Sequence, residues 1–205
     1  EKGLQTTEDL GFGYIEFSGV CGPADEAMAR DLKKHHLVPI SGHWDYGLFK
    51  DNPAQVVKEA KALGVTYAGV AWLPHDGELD EAEVLEAAKV FNEAGKYLAE
   101  RGINFFYHNH GYEFVPYKDG KTMFDLLVEK TDPKYVSFQM DVMWTVFPGQ
   151  DAAALLRKYP DRWSLFHLKD LKKGVKGDNS GGTSTENDVI LGSGQVPYAE
   201  VLKAA

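Results

Sequence analysis

The sequence predicts an α/β protein with the fold of a (βα)8 barrel, and three observations support this prediction. Apolar, β-rich runs alternate with helical patterns along all 205 residues. The ends of successive runs lie about 26 to 36 residues apart, close to the length of one βα unit. No Gly-x-Gly-x-x-Gly motif follows the first run, so the alternative doubly wound, dinucleotide-binding sheet lacks its fingerprint. Strands that alternate with helices form parallel sheets.

Six runs are predicted to be strands, and several are apolar at consecutive positions, as is typical of parallel strands covered on both faces. They are residues 14–17, 37–43, 65–72, 103–108, 136–141 and 163–167. Because a barrel of this class has eight strands, we expect one strand before residue 1 and one after residue 205. Residues 1–205 would then form a single barrel domain that is incomplete at both ends.

Helical patterns fill the intervals between the strands. The pattern at 23–35 opens with Pro23, and the longest, at 80–101, opens with acidic residues and stops at Gly102. The remaining patterns are at 1–10, 52–63, 122–130, 151–159 and 196–205.

Composition and charge exclude several classes of function. The formal net charge is −9, whereas a nucleic-acid partner requires a basic surface, so none is expected. No apolar run is long enough to cross a membrane. Cys21 is the only cysteine, which rules out an internal disulfide. We expect a cytoplasmic protein, with a periplasmic location as the alternative if an N-terminal signal has been removed, and a homo-oligomer is compatible with the sequence.

Polar side chains stand at the predicted carboxyl ends of the strands, where barrel enzymes carry their active sites. These residues are Glu16, His43, His108 followed by His110, Asp141 and His167. Barrel closure would bring them around one mouth. Imidazoles and carboxylates together are ligands for a divalent metal, so the pattern predicts a metal site.

Each of these residues also has an ordinary structural interpretation. A histidine at a strand end often serves only as a hydrogen-bonding residue, Asp141 could cap the following loop, and Glu16 could pair with a lysine. His35 and His36 are interpreted as helix-end residues that suit the helix dipole. The recurrence of such residues across at least four strands favours the site.

Three further segments follow the last predicted strand. Lys169 could neutralise a substrate oxyanion or pair with Asp170. Residues 174–186 are polar and glycine-rich, which indicates a loop or lid over the mouth. The two glycines of "LGSGQVPY", at 191–198, could form an anion-binding cradle before the last helix.

The motifs "YHNHGYEF", "MDVMW", "PGQDAAALLRKYPDRW", "FHLKD" and "LGSGQVPY" resemble, in order and over nearly the whole chain, the xylose isomerase-like TIM-barrel superfamily of sugar phosphate isomerases and epimerases. The resemblance implies a divalent metal (Mn²⁺, Mg²⁺, Co²⁺ or Zn²⁺) held by carboxylates on the fifth, sixth and eighth barrel strands and a histidine on the seventh. It assigns the metal to Asp141 and His167, with His108 in place of the fifth-strand carboxylate.

The predicted metal site, with positions open to a substrate, suggests roles for the neighbouring residues. His110 and Lys169 are expected to act in catalysis, and contacts to the substrate are expected from Glu16, His43, Asn109 and Trp144. Trp144 stands where related epimerases often carry a histidine. That difference, together with the missing fifth-strand carboxylate, weakens the case for two-base epimerisation.

The leading hypothesis is a metal-dependent isomerase or epimerase that acts on a sugar or keto sugar through an enediolate. The first alternative is a lyase or dehydratase of inosose or 3-keto-glycoside type. The second is a sugar-binding barrel without catalysis. A nuclease with this fold is disfavoured by the acidic charge and by the lack of a larger set of metal ligands.

Overall fold

The structure is a computed structural model that describes residues 2–19 and 26–205. Cys21 lies outside the described residues, and so does Pro23, where a helix was predicted to start. Six parallel strands form one sheet whose spatial order follows the chain. They are β1 (Tyr14–Phe17), β2 (Val38–His43), β3 (Tyr67–Val70), β4 (Asn104–His108), β5 (Val136–Asp141) and β6 (Trp163–His167). The sheet is curled, as the predicted barrel requires.

Helices connect the strands and cover the outside of the sheet. They are α1 (Lys2–Asp9), α2 (Glu26–Lys34), α3 (Tyr46–Asp51), α4 (Pro53–Leu63), α5 (Glu81–Ala99), α6 (Met123–Lys130), α7 (Val142–Val146), α8 (Ala152–Lys158) and α9 (Tyr198–Ala204). Local sequence explains where they begin. Asp80 and Glu83 form a capping box at the start of α5, and Pro53 occupies the first turn of α4 after the capping Asn52.

The core lies between the sheet and the helices. Phe105, Phe106 and Tyr107 are consecutive in β4 and all at most 1 % exposed, so this strand is buried on both faces. Phe105 packs against Phe91 of α5 with ring centroids 4.8 Å apart. His108 and Asp141 are the last residues of β4 and β5, so these polar side chains stand at the carboxyl end of the sheet.

Most predicted elements are confirmed, with differences in length. The predicted strand at 65–72 is shorter in the structure, because Gly64 ends α4 in a left-handed conformation and only residues from Tyr67 onward pair with β2. The short helices α3 and α7, inside strand-to-helix connections, were not predicted. A second sheet, formed by the antiparallel strands β7 (Asp170–Leu171) and β8 (Asp188–Val189), closes the base of the glycine-rich loop.

Within the described ranges, no helix combines the length and the hydropathy that a bilayer span requires.

Candidate metal centre and active site

Three predicted ligands meet at the carboxyl ends of β4, β5 and β6. Asp141 Oδ2 lies 3.2 Å from His167 Nδ1 and 3.7 Å from His108 Nε2. All three potential ligand atoms lie within 4.8 Å of one another. A tetrahedral ion with bonds of about 2.1 Å holds its ligand atoms about 3.4 Å apart. The spacing of these three side chains therefore suits a divalent metal.

The two oxygens of Asp141 have different surroundings. Oδ1 accepts a hydrogen bond from the Trp144 backbone N–H at 2.9 Å and so caps α7. Oδ2 is buried and has no hydrogen-bond partner among the described residues, although His167 Nδ1 lies 3.2 Å away. A buried carboxylate oxygen without a partner is costly. A metal ion would satisfy it, so the cluster fits the predicted ion.

Asn109 holds Asp141 in place from behind. Its side-chain oxygen accepts from the Asp141 backbone N–H at 3.0 Å, and its amide nitrogen donates to Thr145 Oγ1 at 3.1 Å. Asn109 is completely buried. The structure therefore places it behind the group formed by His108, Asp141 and His167, which is called the metal cluster below. It does not lie at the mouth, where a substrate contact was expected.

The two histidines of the cluster have opposite electrostatic environments. Burial lowers the pKa of His108 to about 3, so its ring stays neutral and can bind a metal. His167 keeps 45 % of its side chain exposed, and the adjacent Asp141 carboxylate raises its pKa above the usual value. Of the two rings, His167 is thus the one that binds a proton more readily.

Metal affinity should therefore fall as the pH decreases, because His167 must lose its proton before it binds an ion. We expect a loss of about tenfold per pH unit below the raised pKa of His167, and a plateau above it. His108, with a pKa of about 3, adds no second proton. Titration calorimetry with Zn²⁺ between about pH 5 and pH 8 measures this slope. A slope of zero or of two protons would contradict it.

His110 stands beside the metal cluster with one nitrogen free. Its Nδ1–H donates to the Ala71 carbonyl oxygen at 3.2 Å, and since a carbonyl only accepts, the proton is on Nδ1. Among the described residues, none bonds to Nε2, which is the position of the lone pair. Burial lowers the pKa of His110, which keeps the ring neutral. These properties suit a general base.

A buried carboxylate that the sequence analysis did not single out holds the turn that carries His110. Glu113 is completely buried and accepts from the backbone N–H groups of His110 and Gly111, at 2.9 and 2.7 Å. It also accepts from the Tyr107 hydroxyl at 2.5 Å. Burial raises the pKa of Glu113, and these donors oppose the rise. This arrangement explains why a strand ends in the sequence "HNHGYE".

Aromatic rings and one lysine surround His110. Trp144 packs against it with ring centroids 4.9 Å apart, and the Lys169 ammonium lies 5.4 Å from the Trp144 centroid. Trp144 is only 6 % exposed, so it forms a wall of the site. Trp72, which was not predicted as a site residue, packs against His110 from another side with ring centroids 5.4 Å apart. It is 47 % exposed. Lys169 also lies 3.4 Å from Asp188 Oδ2, which holds it near β8.

Glu16 and His43 lie on the β1 and β2 side of the same mouth. Glu16 Oε2 accepts from the Ser41 hydroxyl at 2.5 Å, and His43 Nε2 lies 3.7 Å from Glu16 Oε1. Both residues also contact Gln139, which the sequence analysis did not identify. Its position two residues before Asp141 on one strand was the signal available, because alternate residues of a strand share a face. Burial lowers the pKa of His43, and Glu16 partly opposes this.

A cavity of about 480 Å³ opens next to His43. Its lining comes from the ends of β1, β2 and β3 and from α3 and α4, and it includes Trp44, Asp45, Tyr46, Glu59 and Trp72. Indole rings together with carboxylates suit the apolar faces and the hydroxyl groups of a polar organic ligand.

The glycine-rich loop lies against the aromatic wall. Gly181 has φ +68, and a Cβ there would lie 2.7 Å from Tyr112 Cδ1 and 3.3 Å from the Trp72 ring. A side chain would push the loop away from the site. The loop therefore covers the His110 side of the mouth, where the sequence predicted a loop or lid.

The prediction of an anion-binding cradle at 191–198 is wrong, because a carboxylate of the protein itself occupies that position. The Asp170 carboxylate is buried and accepts from the backbone N–H groups of Gly192, Gly194 and Val196, at 2.8, 2.9 and 3.1 Å. A Cβ on Gly194 would collide with the Asp170 side chain. The two glycines thus wrap an internal carboxylate and leave no room for an external anion.

The remaining histidines lie outside the metal cluster. His35 and His36 bind Glu8 at 3.0 and 2.8 Å and fasten the end of α2 to α1. His75, on the loop after β3, donates to the Leu73 carbonyl at 2.7 Å and stacks on Trp72.

Solved structures with a similar fold include enzymes named for sugars and a zinc-containing protein. A sugar phosphate isomerase/epimerase from Parabacteroides distasonis superposes with a TM-score of 0.79 at 22% identity, over 100% of this chain and 78% of that one. The IOLI protein with a binding zinc atom has a TM-score of 0.73 at 17% identity, over 98% of this chain and 77% of that one. At these identities the likeness shows the fold alone.

Curated relatives share more sequence over shorter segments. An inosose dehydratase from Clostridium tetani is 36% identical over 95 residues, which are 46% of this chain and 31% of the relative. One from Geobacillus thermodenitrificans is 37% identical over 81 residues, 40% of this chain and 26% of the relative. The matched segments thus span less than a third of these relatives. The family model of the xylose isomerase-like TIM barrel, in contrast, matches residues 4–205. The chain belongs to the xylose isomerase-like TIM-barrel family.

Proposed function

We propose that this barrel is a metal-dependent lyase that removes water from a keto sugar or a keto cyclitol. The observation that carries the proposal is the neutral His110, whose unprotonated Nε2 stands beside the His108–Asp141–His167 cluster. A base next to a metal site is what proton removal from the carbon beside a carbonyl requires. The name of the curated relatives, inosose dehydratase, agrees with this reaction class.

In the proposed reaction, His108, Asp141 and His167 hold the metal, which when bound polarises the substrate carbonyl. Two imidazoles and one carboxylate suit Zn²⁺ or Co²⁺ better than Mg²⁺, and a zinc atom is named in one structural neighbour. The ion's identity remains part of the proposal.

His110 takes the proton from the α-carbon through Nε2, and Lys169 offsets the negative charge that develops on the carbonyl oxygen. The charged His110 then gives the proton to the hydroxyl group on the β-carbon, which leaves as water while the carbon–carbon double bond forms. Trp144 and Trp72 border His110 and limit access of solvent. The glycine-rich loop extends this cover through Gly181.

Elimination needs one base that serves both steps, whereas two-base epimerisation needs a second proton carrier on the opposite face. Where related epimerases often carry a histidine, this chain has Trp144, and His108 replaces a carboxylate. Glu16, the other carboxylate near the cluster, is engaged by Ser41 and Gln139. These features favour the lyase over the isomerase or epimerase that the sequence first suggested.

Isomerase or epimerase activity is the second candidate, because the fold neighbour with a TM-score of 0.79 carries that name. It shares the proton-removal step and differs in what happens next. Returning the proton to carbon conserves the mass of the substrate, whereas elimination releases one water. A sugar-binding barrel without catalysis would perform neither reaction.

A panel of keto sugars and keto cyclitols incubated with the Zn²⁺- or Co²⁺-loaded protein in D₂O tests the proposal. By NMR, we expect the α-hydrogen of the substrate to be absent from the product, because His110 passes it to the departing water. Deuterium should enter recovered substrate wherever proton removal reverses before elimination. Mass spectrometry should detect the loss of one water. A product that keeps the α-hydrogen of the substrate would contradict proton abstraction, and deuterated products that have lost no water would favour the isomerase.

The variant His110→Ala is the matched test of the base. Turnover and deuterium exchange should fall about 10²–10⁴-fold, while metal content stays unchanged, since His110 is not a ligand. His36→Ala removes an exposed helix-end imidazole and should leave both properties intact.

A further inference from the structure

Gln139 is a buried amide at the centre of the polar network, and the proposed reaction assigns it no role. It lies on β5 and is 3 % exposed. Its Oε1 accepts hydrogen bonds from His108 Nδ1 at 2.6 Å and from His43 Nε2 at 3.1 Å. Its Nε2 donates to Glu16 Oε2 at 2.8 Å. One side chain therefore joins residues from β1, β2 and β4.

The direction of this amide follows from Glu16. An ionised carboxylate only accepts hydrogen bonds, so the NH₂ end of Gln139 must face Glu16 and the oxygen must face the two histidines. Glu16 is in turn held by the Ser41 hydroxyl at 2.5 Å. The carboxylate on β1 thus selects one of the two orientations that the amide could adopt.

The amide direction determines which nitrogen of His108 carries hydrogen. The neutral ring that a metal requires has one N–H, and an amide oxygen can bond only to that N–H. The hydrogen is therefore on Nδ1, and the lone pair is on Nε2. His108 Nε2 is the atom that lies 3.7 Å from Asp141 Oδ2, on the side of the metal cluster.

We propose that Gln139, oriented by Glu16, is a positioning residue that fixes His108 in the tautomer with hydrogen on Nδ1, so that Nε2 is prepared to bind the metal. The inference rests on the metal site of the proposed function, although the tautomer can be measured without metal. It changes the expected role of Glu16 from a substrate contact to the anchor of this amide.

The test replaces the amide by an apolar group of similar size, in Gln139→Leu. In the metal-free protein, nitrogen NMR of His108 should detect a shift of the ring hydrogen from Nδ1 toward Nε2. Titration calorimetry should detect a 10- to 100-fold loss of Zn²⁺ affinity, about the usual effect of removing a hydrogen-bond partner of a metal-binding histidine. The Co²⁺ absorption spectrum should change as well, because the imidazole is no longer held in one orientation.

A double variant provides the rescue. Glu16→Gln with Gln139→Glu exchanges the carboxylate and the amide at unchanged net charge. The new carboxylate accepts from both histidines and from the new amide, and the Ser41 hydroxyl can act as donor or acceptor. We expect the wild-type His108 tautomer and a Zn²⁺ affinity within about threefold of wild type, whereas Gln139→Leu stays impaired.

Gln55→Leu is the matched control, because it removes another Gln–Glu hydrogen bond, to Glu59 at 2.6 Å, without touching a metal ligand. It should change neither the tautomer nor the affinity. The proposal is overturned if His108 keeps its hydrogen on Nδ1 in a folded Gln139→Leu protein, or if the exchanged pair fails to restore the tautomer. A wild-type protein that has the predicted tautomer but binds no metal would contradict the proposed function and leave the positioning role supported.

Discussion

Replacing Asp141 with asparagine should lower metal affinity by more than about a hundredfold, beyond the range seen when only a partner of a ligand is removed. The substitution eliminates the negative charge between His108 and His167 and turns the unpartnered Oδ2 position into an amide. The fold should survive, because asparagine still caps α7 through the Trp144 N–H. Metal content after dialysis and titration calorimetry provide the measurement.

Asp151→Asn is the matched control. Asp151 caps α8 with the same geometry, accepting from the Ala154 N–H at 2.9 Å, and is an exposed residue away from the metal cluster. The same chemical change there should leave metal affinity unaltered. If Asp141→Asn retains full metal occupancy after dialysis, Asp141 is not a ligand.

Replacing Glu113 with glutamine should lower the free energy of unfolding by about 2–4 kcal/mol, a large effect for an isosteric change. Both carboxylate oxygens accept hydrogen bonds: Oε1 from Tyr107 and His110, and Oε2 from His110 and Gly111. Glutamine offers only one acceptor, so its NH₂ group would face a backbone N–H inside the core. Urea unfolding followed by circular dichroism measures the change.

Glu129→Gln is the surface comparison for this prediction. Glu129 pairs with Lys121 at 2.7 Å, and both side chains are more than 40 % exposed. Such an exposed pair contributes little, so the stability should change by less than about 1 kcal/mol. Equal effects of the two substitutions would indicate that the buried network around Glu113 contributes no more than a surface ion pair.

The apolar runs that alternate with helical patterns identified the strands, and the polar residues at their ends identified the end of the sheet that carries the candidate site. Residues 14–17, 136–141 and 163–167 match β1, β5 and β6 in full. The three side chains of the metal cluster were predicted from strand ends and from the family resemblance together. The helices α3 and α7 escaped prediction because each is about a turn and a half long and its apolar positions are too few to show a period.

Gln139 and Glu113 illustrate what the sequence did not disclose. Gln139 stands inside a strand between Phe138 and Met140, where one polar residue among apolar neighbours does not by itself indicate a role. Glu113 stands in a short connection, where glutamate is normally exposed. Their roles depend on partners such as Glu16 and Tyr107, and Glu16 lies 123 positions from Gln139 along the chain. Partners at such distances come from the closure of the sheet, which no local pattern encodes.

The contact between Glu16 and Gln139 also relates the site to the order of folding. β1 and β5 are separated by three strands in the sheet, so this hydrogen bond crosses the barrel interior. It can form only after most of the chain has adopted its long-range arrangement, and such distant contacts are the slow ones in folding. A partly folded chain would possess the three proposed metal ligands and still lack the oriented imidazole. A metal ion would therefore bind more tightly to completely folded chains than to partly folded ones. Its binding would stabilise only the completely folded state.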